Sequence, residues 1–190
     1  MAVVDKGRVK FEEVENVFGY VKGTTQWAQI LDLDLYGNYS VNLYGDDVVE
    51  MKEEIESIIS DASKEVEKIG KKYEGHNVAK ALKMDDDGKE YIAFKLPPEN
   101  WKKETQSVVM YDAGGNKIDD WDKLVGNGST VKIKYMISPY YMASSKTVGV
   151  SFKFYAMQVI DLVEYTGKAD SGFSDETSGD APFDTTSDDF

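Results

Sequence analysis

Two alternating stretches between Thr130 and Tyr155 constrain this chain more than any other feature. In Thr130–Ile137, Val131, Ile133, Tyr135 and Ile137 point one way, while Lys132, Lys134 and Met136 point the other. In Thr147–Tyr155, Val148, Val150, Phe152 and Phe154 form the apolar set, opposite Ser151, Lys153 and Tyr155. Successive side chains on a strand face opposite sides, so each stretch predicts a strand that buries one face and shows lysine on the other. Pairing the two strands would put Lys132, Lys134 and Lys153 on a common surface. Residues Ser138–Lys146 read as the connecting loop, with Tyr140, Tyr141 and Met142 that a strand core does not require.

The surest element elsewhere is a helix over about 47–69. Val48, Met51, Ile55, Ile58, Ile59, Ala62, Val66 and Ile69 follow three-and-four spacing, which lines one helical face. Asp46 or Asp47 is a candidate cap for its start and Gly70 for its end. Its other face is rich in Glu and Lys, the pattern of a solvated surface. Ile30–Leu35 alternates and predicts a strand with Leu31, Leu33 and Leu35 on one face. Asn38–Tyr44 alternates likewise, through Tyr39, Val41 and Leu43. Glu90–Leu96 is a strand stopped by Pro97-Pro98. Ser107–Tyr111 and Met157–Glu164 are further strands. Ala113–Asn116 and Gly126–Gly128 are turns. Residues 1–37 otherwise show no clean period. The fold class is mostly β with one long helix, five to seven strands in a small barrel or an α+β sheet.

Charge divides the chain further. The whole carries a net charge of −13, yet the stretch from Lys123 to Ile160 holds five lysines, six aromatics and no acid. Residues 167–190 hold seven acids and one lysine and end in Asp188-Asp189-Phe190. The expected organisation is therefore a domain over 1–166 and a disordered acidic tail over 167–190. Most of the negative charge sits in the helix and the tail, and phosphate responds to the field within about 10 Å, not to the total. There are no cysteines, which excludes disulfides, zinc–cysteine sites and cysteine nucleophiles. No apolar run resembles a signal peptide or approaches the ~18 residues of a membrane span.

A basic, aromatic-rich surface beside an acidic arm is the charge plan of a protein that handles single-stranded nucleic acid. Phosphate needs cations, and unpaired bases need flat rings; a base stacked on an aromatic is worth about 1–3 kcal/mol. The candidate contacts are Lys132, Lys134, Tyr140, Tyr141, Lys146, Lys153 and Tyr155, with Trp101 and Lys102 as an additional stacking pair. The bland alternative is a solvated lysine face with a sticky hairpin tip, but solvated faces usually mix both signs. A tail of 24 residues spans about 27 Å root-mean-square. It can occupy the lysine surface as a DNA mimic and, once displaced, offer Asp184, Asp188, Asp189 and Phe190 to a partner pocket.

Nothing else reads as catalysis. His76 is the single histidine and has no triad pattern around it. Asp85-Asp86-Asp87-Gly88 lacks the spaced oxygens and closing Glu of a calcium loop. No phosphate-binding glycine loop is present, and no metal or cofactor is expected. Two rival functions are a metal-dependent nuclease using carboxylates such as Asp32 and Asp34, and an assembly or scaffold protein binding only protein.

The run Leu124-Val125-Gly126-Asn127-Gly128-Ser129-Thr130-Val131-Lys132-Ile133-Lys134-Tyr135 leads into Ser138-Pro139-Tyr140. Val148-Gly149-Val150-Ser151-Phe152-Lys153 and Val159-Ile160-Asp161-Leu162-Val163-Glu164 follow. Together with Tyr39-Ser40-Val41-Asn42-Leu43 and the acidic tail ending in Phe, this resembles the single-stranded DNA-binding proteins of T7-type tailed phages. The resemblance implies an OB-type barrel with an inserted helix, and a protein that coats single-stranded DNA in phage replication, recombination and repair, without catalysis. It implies a tail that contacts the phage DNA polymerase and helicase-primase, homodimerisation, and residence in the cytoplasm of the infected bacterial host. The family's Pro-Tyr loop falls on Pro139-Tyr140, so Tyr140 inherits a stacking role. Family members can carry Trp where Met142 stands, and Tyr141 is the available substitute.

Overall fold

A computed structural model describes residues 2–5 and 8–164. The acidic tail, with Asp184, Asp188, Asp189 and Phe190, lies outside the described residues. Two short strands, β1 (Val3–Asp5) and β2 (Arg8–Lys10), pair with each other. β3 (Val17–Gln29) and β4 (Tyr39–Tyr44) follow, then two helical segments, α1 (Asp46–Glu50) and α2 (Lys52–Glu67). A 3₁₀ turn at Lys71–Tyr73 precedes β5 (Asn77–Val78), β6 (Lys83–Met84) and β7 (Glu90–Leu96). β8 (Val109–Tyr111) and β9 (Lys117–Ile118) lead to the two long strands, β10 (Thr130–Met142) and β11 (Thr147–Asp161).

Five of these strands close a barrel in the order β3-β4-β7-β11-β10 and back to β3. All its pairs are antiparallel except β11 with β7, which meet in parallel at Lys153 and Lys95. This closure is that of an OB-type barrel, and the helix enters it between β4 and β7. The inward residues are those the alternation selects. Val41, Leu43, Ile92, Phe94, Leu96, Val131, Ile133, Ile137, Val148 and Phe154 are all buried. Burying each large apolar side chain is worth about 1.5–3 kcal/mol.

The helical segments close one side of this core. Val48, Met51, Ile55, Ile58, Ile59, Ala62 and Val66 face the barrel, with α2 against β10 and β11 and α1 against β3. The first cap differs from expectation. Gly45 precedes the helix at φ 138°, a conformation open to glycine, and neither Asp46 nor Asp47 makes a side-chain cap. Both acids instead sit in the first turn, where the positive end of the helix dipole favours them.

Three readings of the sequence change. Ile30–Leu35 is not a strand but part of the β3–β4 connection. The Asp34 carboxylate accepts the Tyr36 and Asn38 backbone N–H groups, both at 2.9 Å, and folds the segment into a turn. Pro139–Met142 is not loop: β10 runs through it, with Pro139 opposite Val150, Tyr140 opposite Gly149 and Met142 opposite Thr147. Thr147–Tyr155 and Met157–Glu164 are not two strands. One strand continues across a bulge, since Lys134 pairs with Ala156 and Tyr135 with Phe154, leaving Tyr155 as the extra residue.

Candidate functional site

The barrel carries two concave cation–aromatic surfaces. The larger is a groove of about 830 Å³ on the outer face of β7 and β11. Ile92, Phe94 and Leu96 point inward, so Tyr91, Ala93 and Lys95 point out, and Tyr91, Ala93 and Lys95 line the groove. Lys153 and Ser151 line it from β11, Tyr140 and Met142 from the end of β10, and Lys80 and Lys83 from the segment before and within β6. Tyr140 owes its place to Gly149: a Cβ there would lie 2.7 Å from the Tyr140 hydroxyl, so the hydroxyl end of the ring packs over the bare backbone. Tyr91 stacks on Tyr44 with ring centroids 5.1 Å apart. The Lys95 Nζ lies 5.0 Å from the Tyr36 ring, in the β3–β4 connection.

The second surface lies on β3, β10, β11 and β8. Here Lys132 stands opposite Lys22 and Gln158, and Lys134 opposite Tyr20 and Ala156. Tyr20, Tyr111, Lys132, Lys134 and Gln158 bound a hollow of about 310 Å³. The Lys132 and Lys134 ammonium groups lie 5.4 Å and 6.0 Å from the Tyr20 ring centroid.

Ion pairing divides the lysines of the described residues. Lys10, Lys52, Lys64, Lys68, Lys103, Lys117 and Lys123 each hold a carboxylate within 4.0 Å. Among the described residues, Lys22, Lys80, Lys83, Lys95, Lys132, Lys134 and Lys153 hold none, and neither do Lys71, Lys72, Lys89, Lys102 and Lys146, which line neither hollow. Of the groove lysines, Lys95 still feels the Asp34 carboxylate at longer range and, against the upward push of burial, helps to lower its pKa; cations without a bonded carboxylate on a concave, aromatic-lined face are suited to polyanions.

The structure separates the residues that the sequence gathers. Tyr140 and Lys153 meet in the groove. Lys132 and Lys134 lie on the second surface, so the three lysines do not line one site. Met136, between them on the same side of β10, is buried, and the Tyr155 hydroxyl lies 3.6 Å from its sulfur. Tyr155 is the bulge residue, half-buried, and burial raises the pKa of its phenol. Tyr141 points to the opposite side of β10 from Tyr140, where it packs edge-on against Tyr73 at 5.4 Å. Lys146 sits exposed in the turn between β10 and β11. Trp101 is 86% exposed in the loop after Pro97, a groove residue, with the Lys102 Nζ 5.1 Å from its ring.

Sequence reasoning missed Phe18, Tyr20 and Lys22 on β3, and Lys80, Lys83, Tyr91 and Lys95 in the groove. A signal for β3 was present. Val17, Gly19, Val21 and Gly23 alternate with Phe18, Tyr20, Lys22 and Thr24, but two glycines stand in the inward set and hide the period. The carboxylates of the nuclease reading fare differently. Asp34 is occupied by its turn, where burial pushes its pKa up but the Asn38 and Tyr36 N–H groups outweigh that and leave it lowered. His76 donates through Nδ1 to the Tyr73 carbonyl and bonds the Ser63 hydroxyl through Nε2, and so ties the 3₁₀ turn to α2.

Fold and surface together define an OB-type barrel with a lysine- and tyrosine-lined groove across its strands. Among solved structures, the chain is similar to gp2.5, a single-stranded DNA-binding protein encoded by bacteriophage T7. That match has 23% identity, covers 88% of this chain and 100% of that one, and has a TM-score of 0.65. It is also similar to a C-terminal truncation of the single-stranded DNA-binding protein from bacteriophage Enc34, at 13% identity over 86% of this chain and 94% of that one, TM-score 0.50. The resemblance carried by the sequence motifs thus extends to the fold. No protein-family profile matches the chain, and no curated protein does.

Proposed function

We propose that this chain is a non-sequence-specific single-stranded DNA-binding protein of a bacteriophage, acting in DNA replication, recombination and repair. The observation that carries this reading is the groove, where Lys80, Lys83, Lys95 and Lys153 have no carboxylate within 4.0 Å among the described residues and stand beside Tyr91 and Tyr140. The strand face and flanking loops of an OB barrel are where such folds take up oligonucleotides. Lysines hold the backbone of a strand there while its bases stack on rings, a mode indifferent to sequence. Trp101 and Lys102, at the Pro97 end of the groove, extend the track. Lys146 extends it at the other end, beyond Met142. The bacteriophage proteins of similar fold are named for single-stranded DNA binding, which supports the same reading.

The acidic tail completes the proposal. Its seven acids compete with DNA for the lysines, and its end, through Asp184, Asp188, Asp189 and Phe190, docks on replication proteins. By resemblance those partners are the phage DNA polymerase and helicase-primase, the active form is a homodimer, and the site of action is the cytoplasm of the infected bacterium. No helix among the described residues is long and apolar enough to cross a membrane.

The test is binding of the full chain and a form lacking residues 167–190 to a labelled oligonucleotide, single-stranded and duplex, across a salt series. The expected result is salt-sensitive preference for the single strand, tightened by removal of the tail. Binding by neither form sinks the reading and leaves the assembly role. Unchanged or weaker affinity on truncation removes the competition alone.

A further inference from the structure

The second surface is unused by the groove, and the two share no lining residue. Its aromatics are turned to solvent: Phe18 is 64% and Tyr20 62% exposed, on a strand whose inward side is otherwise packed. The register fixes what lies beside them. Lys22, Tyr20 and Phe18 on β3 stand opposite Lys132, Lys134 and Met136 on β10. Alternate residues of a strand lie about 6.6 Å apart, so Lys132 and Lys134 offer two separate cationic points along one edge of Tyr20. An exposed sheet face selected only for solubility intersperses both signs of charge. Here three lysines and two rings hold the face, and no acid lines the hollow between them. Cations call for a polyanion and bare rings for flat partners, which together specify unpaired nucleotides. The buried Met136 and the Tyr155 bulge separate this face from the groove.

We propose that the β3/β10 face is a second binding surface for single-stranded nucleic acid, on which Phe18 and Tyr20 stack bases while Lys22, Lys132 and Lys134 hold phosphates. The proposal rests on the groove reading and extends it: one chain engages two nucleic-acid segments at once. A long strand that reaches both surfaces gains from effective concentration, because its second contact is intramolecular.

The experiment uses the full chain and oligothymidylates of two lengths. The short one has about six nucleotides, near the lower span of a single OB surface; the long one is several times that. Stoichiometry per chain and affinity are measured by titration calorimetry for the native protein, a face variant (Tyr20→Ala, Lys132→Ala, Lys134→Ala) and a groove variant (Lys95→Ala, Tyr140→Ala). Thermal melts verify folding, and Lys132→Gln with Lys134→Gln replaces the face variant if the triple substitution unfolds. The native chain is expected to take two short oligomers and each variant one. Either variant is expected to lose on the order of tenfold in affinity for the long oligomer, as loss of a stacked base and its phosphate contacts implies. A face variant that matches the native chain in both readings, while the groove variant binds nothing, overturns the second surface and leaves the groove reading intact. Loss of all binding in both variants shows one continuous site and overturns it equally. Absence of binding by the native chain removes both readings.

Discussion

Single side chains do structural work here that their residue types do not announce. Glu65 lies on α2, 2% exposed, and its carboxylate accepts the backbone N–H groups of Glu13 at 2.9 Å and Glu12 at 3.2 Å. It pins the segment that leads into β3 to the helix. Glu65→Ala removes the acceptor of both N–H groups and is expected to destabilise the fold by about 1–3 kcal/mol, and Glu65→Gln, which keeps one acceptor oxygen, by less; urea unfolding measures both. Gly149 holds Tyr140 in place, and a Cβ there would also meet the Ala79 Cβ at 2.8 Å. Gly149→Ala therefore displaces the ring from the groove, with an expected loss of about fivefold or more in single-strand affinity if Tyr140 stacks a base. Oligonucleotide titration beside a thermal melt tells this apart from unfolding. Tyr44 has its phenol pKa pushed up to about 12, first by burial and then by the nearby Asp85 carboxylate. The folded state thus keeps a proton that the unfolded chain releases near pH 10. Its contribution to stability is whole below pH 10 and is lost as pH rises from there toward 12. The slope of stability against pH in that window is expected to flatten in Tyr44→Phe, as read from denaturant midpoints.

At the scale of elements, the strands with uninterrupted alternation were legible and the interrupted ones were not. β4, β7 and the first half of β10 each show an unbroken apolar set, and the helix shows its stripe, so periodicity alone found them. β11 was read as two strands because the bulge at Tyr155 moves the inward set from Phe152 and Phe154 to Met157 and Val159, and a one-residue parity change looks like an end. β3 was lost because its inward positions include Gly19 and Gly23, whose purpose is visible only in three dimensions. A Cβ at Gly19 would meet the Tyr135 hydroxyl at 2.6 Å, and one at Gly23 would meet the Tyr44 carbonyl oxygen at 2.4 Å. The aromatic–lysine character of the site was legible, but its division into two surfaces depends on the barrel's curvature and on β7, which the charge pattern did not mark. Gly23 supplies the test at this scale. The obstructing atom is backbone, which cannot rotate away, so Gly23→Ala is expected to part β3 from β4 at a cost of about 1–3 kcal/mol or more. Chemical denaturation and faster amide exchange along Val41–Tyr44 would register it.

The molecule as a whole is acidic, with a net charge of −13, yet its acids and bases are unevenly distributed along the chain. Among the described residues, seven lysines outside the two surfaces are tied to carboxylates, Lys64 to Asp61 at 2.7 Å and Lys52 to Glu90 at 2.6 Å among them, while Lys71, Lys72, Lys89, Lys102 and Lys146 are not. Lys64–Asp61 is exposed and Lys52–Glu90 partly buried; surface pairs add little to stability, but each offsets a lysine charge locally. The lysines of the groove have no carboxylate within 4.0 Å among the described residues. Counterion release then separates the two classes. Each lysine–phosphate contact on a single strand adds about 0.7 to the slope of log affinity against log salt. Lys95→Ala and Lys153→Ala are each expected to lower that slope by about 0.7 and to weaken binding most at low salt, while Lys64→Ala leaves slope and affinity unchanged. If Lys64→Ala lowers the slope as much as the groove variants do, DNA responds to the overall charge of the chain and not to the local field of the groove, and the sorting of paired from unpaired lysines has no part in recognition.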